Sequence, residues 1–126
     1  MIQLLFITTQ KARFAGLSAS VESRGGNATW ADSGHQALET IKQTPADLVV
    51  VDEDLGDMRG LAFIHQLVAV NPMINCALVS ALSHEDYHEA SEGLGILMQL
   101  PPEPSADDGK RLMDQLNQIL GLASPP

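Results

Sequence analysis

Apolar residues fall along this chain in short runs that alternate with stripes of helical period. Gln3 to Thr8 (QLLFIT) is a compact apolar run bounded by polar residues, the pattern of a buried strand. Between Ala12 and Arg24, Phe14, Leu17 and Val21 recur at helical spacing and share one face, and Gly25-Gly26 ends that helix. Asn27 to Ala31 is a second, weaker strand. Asp32 or Ser33 caps a helix carrying Ala37, Leu38 and Ile41 on one side, closed by Pro45. Leu48 to Val51 (LVVV) is apolar at every position, which suits a central strand buried on both faces. A helix over Leu61 to Val70 buries Phe63, Ile64, Leu67 and Val68 and stops at Asn71-Pro72. Cys76 to Val79 is the fourth strand. Ser83 and Asp86 resemble a capping box opening a short helix to Glu92, with Tyr87 and Ala90 inward. Ile96 to Leu100 is the fifth strand. The last helix follows Asp107 and Asp108, is lined by Leu112, Met113, Leu116, Ile119 and Leu120, and ends at Gly121.

Strict alternation of strands and helices with short connections implies right-handed crossovers and a parallel sheet covered on both faces. The expected fold is therefore α/β, a single doubly wound five-stranded sheet of flavodoxin-like form. It occupies residues 1–121, with 122–126 a tail or the start of a linker. In such sheets chemistry collects at the carboxyl ends of the strands. That directs attention to Thr8, Thr9 and Gln10, to Asp32, to the segment Asp52 to Asp57, to Ser80 and Ala81, and to Leu100.

Composition narrows the functions available. The chain has 126 residues, 44% of them hydrophobic, enough for one core. Its formal net charge of -9 argues against nucleic acid and against an anionic membrane surface as partners. The single cysteine, Cys76, excludes an internal disulfide and a cysteine-based zinc ribbon, and fits a reducing, cytoplasmic setting. No apolar run is long enough to span a bilayer.

Asp52 ends the most buried strand, where a carboxylate can accept a phosphoryl group, hold a metal, act as a base or merely cap a turn. Four segments in order carry a family pattern. DLVVVDEDLGDMRG resembles the receiver-domain motif of two-component response regulators, in which a strand ends at a phosphorylatable Asp and a Gly opens the next helix. ADSGHQALETI is similar to the second helix of that family, LVSA (Leu78 to Ala81) to its fourth strand, and EASEGLGILMQLPPEPS to its fifth strand and the turn after it. The resemblance implies Asp52 as phosphoacceptor, with Ser80 and Ala81 as contacts to the phosphoryl group.

The family's other chemistry is missing. The resemblance places two acidic metal ligands at Thr8 and Thr9, a lysine at Leu100 and an aromatic switch at Leu97. Phosphoryl transfer gathers negative charge that Mg²⁺ and a lysine ordinarily neutralise, and losing one such stabiliser costs about 3 kcal/mol in a barrier. Asp52 and Asp54 are the remaining candidate ligands for a weakly bound Mg²⁺. Glu53, Asp54 and Asp57 crowd the loop with further charge, and no fixed cation is evident beside it. The expectation is a degenerate receiver acting through phosphorylation-independent contacts with a histidine kinase, a phosphotransfer protein or an output domain. A homodimer is compatible with the sequence. The alternative is a conventional receiver phosphorylated on Asp52.

A distant alternative comes from His84-Glu85-Asp86-Tyr87-His88, which matches the zinc-peptidase pattern H-E-x-x-H. No later histidine completes such a site, and the helix is short. Cys76 within a strand reads as a buried, inert thiol. Thr8-Thr9-Gln10 lacks the glycines of a phosphate-cradling loop.

Overall fold

The computed structural model describes residues 2–121, so the tail expected over 122–126 lies outside the described residues. The elements run β1 (Ile2–Ile7), a 3-10 turn (Lys11–Phe14), α1 (Ala15–Ser23), β2 (Gly26–Ala31), α2 (Gly34–Gln43) and β3 (Leu48–Val51). They continue with α3 (Gly60–Val70), β4 (Asn75–Val79), α4 (His84–Ser91), β5 (Met98–Leu100) and α5 (Ala106–Ile119). All strand pairs are parallel, in the order β2-β1-β3-β4-β5. This is the five-stranded doubly wound architecture expected of the sequence.

Strand period explains the two cores. Leu4 and Phe6 of β1, with Leu48 and Val50 of β3, join Phe14, Leu17, Val21, Leu112, Met113 and Leu116 on the face covered by α1 and α5. The intervening residues Leu5, Ile7, Val49 and Val51 join Ala37, Phe63, Ile64 and Leu67 on the opposite face. A side chain buried on each face at every step is why LVVV has no polar position. One glycine is needed for this closure near the site. A Cβ on Gly60 would lie 2.2 Å from the Asp52 carbonyl oxygen, so only glycine lets α3 start directly beneath the end of β3.

Several local expectations are corrected. The first helix begins as a 3-10 turn, because Gln10 offers no side-chain cap and its carbonyl accepts from the Arg13 amide three residues on. β5 is shorter than expected: Gly93 and Gly95 hold positive φ, and the strand proper begins at Met98, just after the Leu97 amide donates to the Cys76 carbonyl of β4 at 2.7 Å. Ser83 caps α4 through the Asp86 amide only. The complete capping box lies instead at Ser105 and Asp108 on α5. Ala90 is exposed, Tyr87 being the buried residue of α4. Ile119 and Leu120 are exposed because the core against α5 ends at Leu116. No described helix is long and apolar enough to cross a membrane.

Candidate functional site

Three adjacent strands deliver the site. Just past each strand end, one more backbone bond extends the ladder: Thr8 N–H to Ala31, Asp52 N–H to Ile7 and Ser80 N–H to Leu100. These bonds fix Thr8, Asp52 and Ser80 at the carboxyl edge of β1, β3 and β4, and all of them are buried. The topology thus brings together the residues that the sequence singled out there.

Each oxygen of the Asp52 carboxylate has a hydrogen-bond donor. Its Oδ2 accepts from the Thr8 hydroxyl at 2.6 Å and its Oδ1 from the Glu53 amide at 2.7 Å. The Thr8 oxygen in turn accepts from the Gln10 amide at 2.9 Å, which orients the hydroxyl proton toward Asp52. Arg13 corrects the expectation of a loop without a cation. Its Nη1 stands 3.7 Å from Asp52 Oδ2, and its Nη2 donates to the Pro102 carbonyl after β5. The guanidinium therefore neutralises a buried carboxylate and ties the turn after β1 to the turn after β5. A shallow pocket of about 180 Å³, lined by Thr9, Gln10, Arg13, Asp52, Glu53, Asp54 and Gly56, opens above the carboxylate.

The other expected positions are placed as follows. Thr9 is exposed beside the pocket. Ser80 is 5% exposed, and its hydroxyl oxygen accepts from the Leu82 amide at 3.1 Å. Ala81 directs its amide to Glu53 Oε2 at 2.9 Å. Leu100 is fully buried in the core beneath α5, and Leu97 packs half-buried against that same cluster. Asp54, a candidate metal ligand, turns its carboxylate to the Gly56 amide at 2.9 Å and to Arg59 at 3.8 Å. Among the described residues no group of three His, Cys, Asp or Glu side chains could hold a metal ion. The residues around Asp52 do not fit a divalent cation, since neutral Thr8 and the cation Arg13 already meet the carboxylate.

His84 and His88 share a face of α4, with ring centroids 4.6 Å apart, edge to face. No third ligand joins them among the described residues. Cys76 is buried, and burial pushes its thiol up to about 11, so it stays protonated at neutral pH.

Sequence reasoning missed Arg13, Gln99 and the role of Asp57. Gln99 Nε2 donates to the carbonyls of Ser80 and Leu82, bracing the β4–α4 turn. Asp57 reaches across to cap α2, accepting from the Gly34 and His35 amides at 2.9 Å each. Those amides hold its carboxyl below the usual carboxylate value. For Arg13 a signal existed: a buried Asp52 with neutral Thr8, Thr9 and Leu100 requires a cation, and Lys11 and Arg13 are the basic residues of the adjoining turn. Lys11 lies instead over the Trp30 ring, 4.7 Å from its centroid.

A family model, the response regulator receiver domain, matches residues 5–101. The transcriptional regulatory protein ZraR of Escherichia coli (strain K12) is 32% identical over 82 residues, which cover 65% of this chain and 19% of that protein. The signal transduction histidine-protein kinase BarA of the same strain is 51% identical over 39 residues, 29% of this chain and 4% of that protein. The chain spans about a fifth or less of the length of these relatives. A receiver domain protein (CheY-like) from Methanospirillum hungatei JF-1 superposes with a TM-score of 0.82 at 15% identity, covering 98% of this chain and 99% of that one. NtrX from Brucella abortus superposes with a TM-score of 0.82 at 16% identity, over 95% of this chain and 28% of that one. At such identities the superpositions establish the fold.

Proposed function

We propose that this chain, which belongs to the response regulator receiver domain family, is a receiver whose phosphoryl chemistry has given way to fixed internal contacts. It signals through protein partners of the two-component kind, a histidine kinase, a phosphotransfer protein or an output domain, in the cytoplasm and without nucleic-acid contacts of its own. The observation that carries this reading is the state of Asp52. Its oxygens are met by the neutral Thr8 hydroxyl and the Glu53 amide, with Arg13 alongside, where phosphoryl transfer ordinarily calls on a metal and a lysine. Leu100, at the position of the expected lysine, is turned into the core. The carboxylate is neutralised by a guanidinium that is also anchored to Pro102, so a metal is not needed to hold the site together.

One observation favours the conventional reading, in which Asp52 is phosphorylated. Arg13 supplies a cation within 3.7 Å of the acceptor, and a pocket opens above it. One guanidinium must then do what a metal and a lysine do together, and losing one such stabiliser already costs about 3 kcal/mol. The test is intact-mass spectrometry after incubation with acetyl phosphate and Mg²⁺. No phosphoryl adduct is expected. An adduct on the wild-type protein that is absent from Asp52→Asn would establish the conventional receiver.

A further inference from the structure

The chain leaves β3 through Glu53, and both sides of that residue's backbone are fixed. Its amide donates to Asp52 Oδ1 at 2.7 Å, and its carbonyl accepts from the Gly60 amide at 2.9 Å. The side chain is thereby aimed across the sheet edge, where Oε2 accepts from the Ala81 amide at 2.9 Å. The amides of the β4–α4 turn are otherwise met by uncharged oxygens. Ser80 N–H donates to the Leu100 carbonyl and Leu82 N–H to the Ser80 hydroxyl. Ala81 relies on a carboxylate from the loop after β3.

We propose that Glu53 is a positioning residue that serves as the built-in anionic ligand of the β4–α4 turn, holding the Ala81 amide in place of an external anion. The turn leads through Leu82 to Ser83, which caps α4, so the hold reaches the first turn of that helix. Electrostatics gives it a direction. Glu53 and Asp52 are sequence neighbours at one sheet edge, so negative charge added at Asp52 raises the cost of keeping the Glu53 carboxylate there. Occupancy of the Ala81 amide by Glu53 and by a second anion is mutually exclusive. The inference does not rest on the proposed loss of phosphorylation; it takes only from the family resemblance that Ala81 is the contact a phosphoryl group would use.

The experiment is residue-resolved amide exchange by NMR on the wild-type chain, Glu53→Ala and Glu53→Gln. The expected result is Ala81 exchange faster by several-fold, up to about tenfold, in Glu53→Ala, as for loss of one partly solvated hydrogen bond. The Ala81 amide proton should also move upfield, and the neutral acceptor of Glu53→Gln should restore part of both effects. Leu82, which donates to Ser80, should change less. Unchanged exchange and shift at Ala81 in Glu53→Ala would overturn the proposal, as would an equal change at every amide of the turn. These signals need no phosphorylation. A phosphoryl adduct on Asp52 alongside the expected Ala81 behaviour would defeat the phosphorylation-independent reading and leave the role of Glu53 standing.

Discussion

A carboxylate that is 2% exposed needs neighbours that replace the water it has lost, and around Asp52 each replacement is a separate residue. Thr8 supplies a hydroxyl, Glu53 a backbone amide, and Arg13 the charge. This makes Arg13 the residue whose loss should be felt most. Breaking a fully buried ion pair costs about 3–5 kcal/mol, but Arg13 is partly solvated and its contact is loose, so about 1–2 kcal/mol is expected for Arg13→Ala. Chemical denaturation of the variant checks this. A loss near zero would mean that Thr8 and the Glu53 amide suffice. The loop's crowded charge alone suggests that Asp52→Asn relieves repulsion, and Arg13 adds an attraction that opposes this. With Arg13 in place the substitution forfeits an attraction. Tyr87 shows the opposite situation. Its hydroxyl is buried without a hydrogen-bond partner among the described residues, and burial, followed by the neighbouring Cys76, pushes its ionisation up to about 12. Tyr87→Phe removes an unpaired polar atom and leaves the ring. It should stabilise the protein by about 1 kcal/mol, seen as a higher melting temperature.

Elements in this fold are held together by side chains that cap a helix other than their own. Asp57, in the β3–α3 loop, closes the N-terminus of α2, while Ser33 caps the same helix from within through the Gln36 amide. The Gly34 and then the His35 amide lower the Asp57 value from the ordinary 3.8. A lowered folded-state value means that ionised Asp57 stabilises the fold. That contribution is complete above the ordinary value and is lost as pH falls through the lowered one. Asp57→Ala should therefore melt at a lower temperature than wild type at neutral pH, and the gap should close in acid. A gap independent of pH would assign the effect to packing of the loop. Local caps of this kind are legible when they lie within one segment, as at Ser33, because the hydroxyl sits immediately before the apolar stripe. Asp57 was not legible, since nothing in a loop aspartate marks a helix more than twenty residues earlier. Nor was the shortening of β5, which follows from the positive φ of Gly93 and Gly95 and not from the apolar run Ile96 to Leu100 that suggested a longer strand.

For the molecule as a whole, the alternation that fills both faces of β1 and β3 was enough to give a parallel sheet covered on both faces, because side-chain period and crossover handedness leave few other arrangements, while the family was legible only in the resemblance of four motif segments. The same logic delivered Thr8, Asp52 and Ser80 to one edge. It could not deliver Arg13 or the Glu53–Ala81 contact, which depend on where long side chains reach once the strands are assembled. Those contacts decide whether the molecule has one conformation or two. A receiver that switches needs an element with two arrangements, biased by charge at the acceptor. Here Arg13 links Asp52 to Pro102, Glu53 links the end of β3 to Ala81, and Gln99 braces the turn before α4. Leu97, at the expected switch position, is packed against the core beneath α5 and has no aromatic ring to swing. The expected outcome is an amide NMR spectrum unaltered by acetyl phosphate with Mg²⁺, and matching that of Asp52→Asn beyond the residues adjoining position 52. Leu97→Asp, which places a charge against the core, should disturb the spectrum and the melting temperature far more than Asp52→Asn does. Shifts spreading from Ala81 through α4, β5 and α5 on phosphodonor treatment, and missing from Asp52→Asn, would show that the second conformation exists and that Arg13 acts as a replaceable cation within a working switch.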